Sequence, residues 1–489
     1  MVTAELIPIG RPDTDITYKY ARELYLRGFL ISKNLLIAPL DYSEIASLSA
    51  TGKPAGVNRL ITSLQDVTGK KTDIGNLAIK TAFIPHGSYS DDAKHAYLAL
   101  IPELCYQISN AWAAQTAYRI DGALADDPMY TGKKWDNFAG YAELAVLSYR
   151  GKRLAIDLGR SRHAWGISSG GSNLFLSAGA FPLDGISFKY HLADKISFYS
   201  VIAALAPVGA VSLFTPDTPT ENRYFSAHAL RISPCLWWDV VLKESVIYGG
   251  AGRPLEPAYA IPFIWFHAEQ LNGNVDDNTF FGIESVIRLK NRYAGYMEIL
   301  LDDYQIENKS ASDDEPSEYG ITAGIDIYDF PMESGTIELE YTRIANYTYN
   351  QNKPRNVYIN QGYPLGHPLG PDHESFKITC VYHFKKYISA EITVYVQDRG
   401  EGRLADPWEA LWLNHGYNED FPSGIVENRR GIAASFFFHK NDFIQGKMLL
   451  DIADIQNDGN ISGADKKTWS MRLEIIVNLS KINWRLNDD

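Results

Sequence analysis

From about Gly75 to the C-terminus, apolar and polar positions alternate with a period of two. Ile388, Ala390, Ile392, Val394 and Val396 alternate with Ser389, Glu391, Thr393, Tyr395 and Gln397. Met471, Leu473, Ile475, Val477 and Leu479 do the same against Arg472, Glu474, Ile476, Asn478 and Ser480. Shorter runs repeat the pattern: Leu154, Ile156 and Leu158 flank Ala155 and Asp157, and Ile337, Leu339 and Tyr341 flank Glu338 and Glu340. Successive side chains of a strand point to opposite faces, so each such strand is apolar on one side and charged on the other. A membrane barrel needs that arrangement, with lipid outside and a wet lumen inside; a soluble barrel reverses it.

The first seventy residues follow the helical period instead. Ile16–Gly28 lies behind Asp15, a suitable N-cap, and ends on a glycine suited to a C-terminal cap. Ser43–Ser49 predicts a second, short helix. Gly56–Val67 places Val57, Leu60, Ile61, Leu64 and Val67 on one face. Three short amphipathic helices have apolar faces that require a platform.

The connections sort into two kinds. Short turns fall at Arg150–Lys152, Ala193-Asp194, Asn291-Arg292, Met332–Gly335, Lys385-Lys386 and Lys440-Asn441. Long polar stretches lie near 122–137, 162–184, 207–221, 248–277, 307–316, 351–373, 400–427 and 456–465, in strict alternation with them. Such asymmetry is expected when one barrel end faces the periplasm and the other the exterior. Counting back from a last strand near Lys467–Leu486 gives about eighteen strands beginning near residue 76. The expected fold is therefore mainly β: a transmembrane antiparallel barrel of about 18 strands. Residues 1–74 are expected to form a small α-helical segment, and residues 75–489 the barrel with its long extracellular loops.

Composition sharpens this picture. No window reaches the roughly 18 consecutive apolar residues of a membrane helix, so only a closed barrel could span lipid. Tyr (30), Phe (21) and Trp (10) far outnumber Met (6), as expected of side chains that gather at a membrane interface. The net charge of −13 offers no basic stripe for nucleic acid. Cys105, Cys235 and Cys380 are too scattered for a disulfide framework or a metal set. Met1 is followed by Val-Thr-Ala-Glu-Leu-Ile-Pro, with no basic n-region or long apolar core, so an export leader is expected to have been removed.

Gly159–Gly185 reads GRSRHAWGISSGGSNLFLSAGAFPLDG. SAHALRI at 226–232, ESVIYGG at 244–250, EILLDD at 298–303, YINQGYPLGHPLGPD at 358–372 and HKNDF at 439–443 follow in order. Together they resemble the Wzi family of capsule-assembly outer-membrane proteins, and the helical stretch 18–31 resembles that family's pre-barrel region. The chain departs from the family pattern at Ile167-Ser168, where Gly-Pro-Gly is usual. It departs also at Ser177–Ala180, where Ser-Asn-Ala is usual, and at Ala227–Ala229, where Gly-His-Arg is usual. The resemblance implies a monomeric, non-enzymatic surface lectin that binds capsular polysaccharide and helps to hold the capsule on the cell. It places helices at the periplasmic mouth and loops folded into the lumen. A porin-like channel for sugars or other small solutes is the alternative.

The residues assigned to polysaccharide contact are Arg160, Arg162, Trp165, His228, Arg231, Glu244, His367, Trp408 and Trp412. Trp can stack on a pyranose face, and Arg offers a planar fork to a sugar carboxylate. The same arginines could instead pair with lumenal carboxylates to fix the 162–184 loop as a plug. Tyr130, Trp135 and Tyr417 are further outer-loop aromatics that could stack on sugars or sit at the lipid interface. Glycoside hydrolysis is not expected, because Asp302 and Asp303 are strand neighbours on opposite faces. No cofactor is expected. Asp454, Gln456, Asp458, Gly459, Asn460, Ser462 and Asp465 have calcium-loop spacing, but Gln at the third place and Asp at the twelfth are poor ligands there. A solvated hairpin loop is the better reading of that stretch.

Overall fold

The computed structural model describes residues 4–485 apart from 12–13, 31–35, 50, 70–71, 92, 209–220, 274, 304–315, 405, 407–411 and 413–419. Eighteen long strands make the wall. They are β1 (Asn76–Ser90), β2 (Lys94–Gln107), β3 (Trp112–Asp121), β4 (Phe138–Arg150), β5 (Leu154–Ser161) and β6 (Leu183–Ala193). Next come β7 (Ile196–Val208), β8 (Glu221–Cys235), β9 (Trp238–Gly250), β10 (Asn278–Leu289), β11 (Tyr293–Asp303) and β12 (Glu318–Tyr328). The last are β13 (Gly335–Ile344), β14 (His373–Lys385), β15 (Ile388–Arg399), β16 (Glu427–Lys440), β17 (Ile444–Gln456) and β18 (Lys466–Arg485). Each pairs antiparallel with the next, and β18 returns to β1 from Ser470↔Ser90 to Arg485↔Asn76. Closure leaves no strand edge for lipid to meet unpaired.

The alternation left open which way the faces point, and the structure turns the apolar rows outward. Leu158 is 57% exposed on the outer wall, and Asp157 beside it is 4% exposed inside. Ile392, Val394, Ile432, Ile452, Leu473 and Ile325 are exposed outward, while Glu340, Ser389 and Glu143 are buried within. Charged side chains could not stand in the outer rows without facing hydrocarbon.

The two ends differ sharply. Eight short turns, none longer than 329–334, share one end with the start of β1 and the end of β18. The other end carries the long connections 122–137, 162–182, 209–220, 251–277, 304–317, 345–372, 400–426 and 457–465. It also carries the 91–93 turn of the first hairpin, the one place where the expected alternation fails.

At the short-turn end the N-terminal segment enters the lumen. It holds α1 (Asp15–Leu26), α2 (Tyr42–Ala46) and α3 (Ala55–Thr68). All five residues of the stripe predicted in α3 are buried. Arg22 of α1 reaches Asp326 at 3.0 Å and Glu338 at 3.2 Å. The Tyr25 hydroxyl donates to Asp239 at 2.6 Å, and Glu23 meets His383 at 2.9 Å. Asp66 of α3 pairs with Lys386 in a short turn at 2.6 Å. The platform that these helices required is the inside of the barrel.

The wet lumen expected from sequence needs correction. On the β7–β13 side many inward positions are apolar, among them Val201, Phe225, Val241, Phe280 and Leu300. They share one buried cluster with Leu24, Leu60 and Leu64 of the helices and with Trp165, Leu174 and Phe175 of the 162–182 loop. Aliphatic side chains therefore line both surfaces of this part of the wall. The inner set is covered by protein rather than by lipid.

Candidate functional site

The 162–182 connection folds down into the lumen instead of standing above it. Its start forms a two-residue pairing with the N-terminal segment, Ala164↔Ala38 and Trp165↔Ile37. Lumenal carboxylates then capture its backbone. Ile167 N–H donates to Glu284 at 3.0 Å, Ser169 N–H to Glu340 at 2.8 Å and Leu174 N–H to Glu298 at 2.9 Å. Lys243 joins the wall to the loop, bridging Glu284 and Glu298 and donating to the Trp165 carbonyl at 2.9 Å. A buried loop has polar backbone groups that must find partners, and charged acceptors make the stronger bonds.

A second connection, 345–372, lies over this plug as a lid. Tyr349 donates its hydroxyl to the Leu174 carbonyl at 2.6 Å and Tyr358 to the Phe175 carbonyl at 2.7 Å. Ser177 N–H donates to the Leu365 carbonyl at 2.9 Å. The glycines of this stretch serve that closeness: a Cβ on Gly366 would lie 2.5 Å from the Leu174 oxygen. Gly362 has φ +86° and would press on the Met129 carbonyl.

Other connections brace the lid's rim. Tyr363 donates to Asp127 of the 122–137 connection at 2.6 Å. Buried Asp372, at the lid's end, accepts from Gly402 N–H at 2.8 Å and from both Ser423 N–H and Ser423 Oγ. Arg223 of β8 donates to the carbonyls of Arg355 and Val357, each at 2.6 Å. Helices, plug and lid thus occupy the lumen in three layers against the β7–β13 side, while on the opposite side inward Arg472 is exposed and Thr393, Ser435 and Leu449 are half-buried.

The sequence-predicted contact residues do not gather into one site, and most serve this filling. Arg162 is buried, bonds Glu143 at 2.8 Å and donates to the Ala178 and Ala180 carbonyls. Trp165 is fully buried and lies parallel to Phe175 at 6.2 Å, so no sugar can reach its face. Arg231 shares Asp239 with Arg288 and Tyr25 near the short-turn end. His367 is buried against His373 at 4.7 Å, and Trp412 is buried against Tyr347 at 5.2 Å. Desolvation inside the lid, reinforced by His373, pushes the His367 imidazole well below its ordinary pKa.

Three others lie on the outer wall. Arg160 pairs with Asp184 at 2.5 Å, and both project outward from β5 and β6. His228 and Glu244 face each other at 3.0 Å on the outward rows of β8 and β9. Trp408 and Tyr417 lie outside the described residues.

The calcium-spaced stretch does not converge. Asp454 ends the outward row of β17, Asp458 pairs with Lys466 at 2.8 Å, and Asp465 accepts from Asn457 N–H. Asn460 donates to the carbonyls of Arg399 and Ile425 and accepts from Arg403. Among the described residues no three His, Cys, Asp or Glu side chains are arranged to hold a metal.

What remains available is the outer surface of the lid and of the 122–137 connection. Tyr130 is buried, but Trp135 is 46% exposed at the rim, near exposed Met129, Thr131, Lys133 and Lys134. Sequence reasoning missed the carboxylates that hold the plug. Glu284, Glu298 and Glu340 occupy inward positions of an alternating row, which was the available signal.

A sequence model of the family described as capsule assembly protein Wzi matches residues 103–468. No curated protein matches the sequence. Among solved structures, a similar one is that of Escherichia coli Wzi. It is described as a carbohydrate-binding β-barrel of the outer membrane involved in group 1 capsule assembly. The TM-score is 0.63 at 14% identity, covering 96% of this chain and 99% of that one. Acinetobacter baumannii OccAB2 aligns at TM-score 0.51 and 9% identity, over 84% and 99% of the two chains. At such identities these likenesses speak for the fold.

Proposed function

Since the chain belongs to the capsule assembly protein Wzi family, we propose that it binds surface polysaccharide on its long-loop face and tethers the capsule there. The observation that carries this reading is the plug and lid that obstruct the lumen from its β7–β13 side. With the plug bonded to wall carboxylates and the lid bonded to the plug, a polymer arriving at the long-loop end meets a built surface. Recognition then falls to exposed groups at the rim, of which Trp135 offers the best stacking face and Lys133 and Lys134 a positive counterpart to acidic sugars.

In this reading the long loops are extracellular, and residues 1–74 act as one unit that caps the periplasmic mouth. The chain works as a monomer without catalysis. The test measures capsular polysaccharide binding to the full chain in liposomes, alongside planar-bilayer recording of the same preparation. Saturable binding with no stable large conductance supports the proposal. A stable large conductance without binding rejects it in favour of a sugar channel.

A further inference from the structure

The connection 251–277 leaves the long-loop end of β9 and folds back over the outside of the barrel. Phe263 lies 4.9 Å from Phe198, only two residues into β7 from its short-turn end. Phe266 lies 4.5 Å from His228, and His267 N–H donates to Glu244 at 3.0 Å. Trp265 and His267 lie against Phe281 at 6.4 and 5.4 Å. Ser200, His228, Glu244, Phe281 and Leu301 are register neighbours across β7 to β11, so residues 263–267 run across the middle of the outer wall. The lipid band of such a barrel is about 25 Å tall, the height of roughly 10 tilted strand residues. A segment that reaches mid-strand lies within that band.

The segment is built inside out relative to a loop made for water. Several of its polar groups turn to the wall or to one another, though Asn272 and Asp276 stay exposed: Arg253 pairs with Asp277 and Glu256, and Tyr259 donates to Asp277 at 2.9 Å. Gln270 donates to the Asp277 carbonyl at 2.6 Å and accepts from Thr279 at 2.9 Å. Tyr259 and Phe266 are buried against the wall, but four apolar side chains turn away from it: Ile261, Phe263, Trp265 and Leu271 are exposed, the last three by two-thirds or more. This apolar surface continues the exposed row of Leu242 and Ile283 on the neighbouring wall. Pro254, Pro257 and Pro262 remove three backbone donors that lipid could not satisfy. Beneath the segment, His228 and Glu244 are a polar pair that bare wall would have presented to hydrocarbon.

We propose that residues 254–273 are a lipid-binding element, embedded by Ile261, Phe263, Trp265 and Leu271 in the membrane hydrocarbon while sealing the His228–Glu244 pair from it. The inference rests on membrane insertion of the barrel and is independent of the carbohydrate reading.

The test places a nitroxide label at Phe263→Cys, and separately at Leu271→Cys, in full chain carrying Cys235→Ser and Cys380→Ser and reconstituted in vesicles. Heat-modifiable gel mobility selects folded variants. Labels at Ile392→Cys on the bare wall and Trp135→Cys at the rim give the two reference environments. Accessibility to oxygen severalfold above that to a water-soluble nickel complex, matching the 392 label, supports the proposal at either position. Nickel accessibility matching the 135 label overturns it. So does protection from both quenchers that disappears on dilution into excess lipid, which reveals a second copy covering the patch.

Discussion

The Tyr349 hydroxyl meets the carbonyl oxygen of Leu174 at 2.6 Å, both groups buried, across 175 residues of sequence. This bond ties the lid over the long-loop mouth to the plug in the lumen, and Tyr358 with Phe175 repeats it at 2.7 Å. Removing a hydroxyl leaves a buried carbonyl unpaired, at a cost of about 1–3 kcal/mol. Tyr349→Phe with Tyr358→Phe is expected to lower the thermal midpoint and to produce brief conductance events in planar bilayers. Wild-type stability and silence in the double variant would count against the lid as a closure.

Arg162 and Glu143 are a buried pair at 2.8 Å. Breaking such a pair from one side strands a buried charge, at about 3–5 kcal/mol. Arg162→Ala should destabilise the barrel by that order in denaturant unfolding. Arg162→Met combined with Glu143→Gln should recover most of the loss. Equal losses in the single and double variants would show that charge pairing is not what holds the plug.

Trp135 and Trp165 should part company. Trp135→Ala at the exposed rim is expected to weaken polysaccharide binding about tenfold, roughly 1.4 kcal/mol, with unfolding unchanged. Trp165→Ala empties a buried site and should cost about 3–5 kcal/mol of stability. Calorimetric binding and unfolding on both variants decide it; a Trp135→Ala protein that binds normally removes that residue from the site.

His367 is held neutral in the lid by desolvation, with its pKa well below the ordinary 6.5 or so. The folded form then binds fewer protons than the unfolded one as pH falls below that ordinary value. Stability contributed by the neutral ring is fully present above about pH 6.5 and declines on acidification toward the depressed pKa. Protease nicking within 345–372 should therefore rise between about pH 7 and 5. His367→Asn should flatten that rise, and an unchanged pH profile in the variant would assign the effect elsewhere.

Much of the fold was legible because lipid imposes a strict rule on the outer rows. Ile392, Val394, Ile432 and Ile452 hold the outward places of their strands, and a strand phase once set carries along the whole strand. Helix α3 was legible for a related reason: Val57, Leu60, Ile61, Leu64 and Val67 fall on one face at the helical period. The candidate site was far less legible. Trp165 and Arg162 lie in a polar, glycine-rich stretch of the kind that marks an exposed loop. Nothing local distinguishes a loop that stands in water from one that folds into a lumen.

The sequence by itself determined the barrel, its strand phase, its near-eighteen strands, its asymmetric ends and the helical start. All of these follow from the side-chain period and from where turn residues fall. Tertiary structure alone decided that a plug enters the lumen, that Glu284, Glu298 and Glu340 hold it, and that His228 and Glu244 face outward under residues 263–267. These outcomes depend on which distant segments share a space. A buried carboxylate takes whatever N–H group the closed wall brings within reach, and chain order does not encode that proximity.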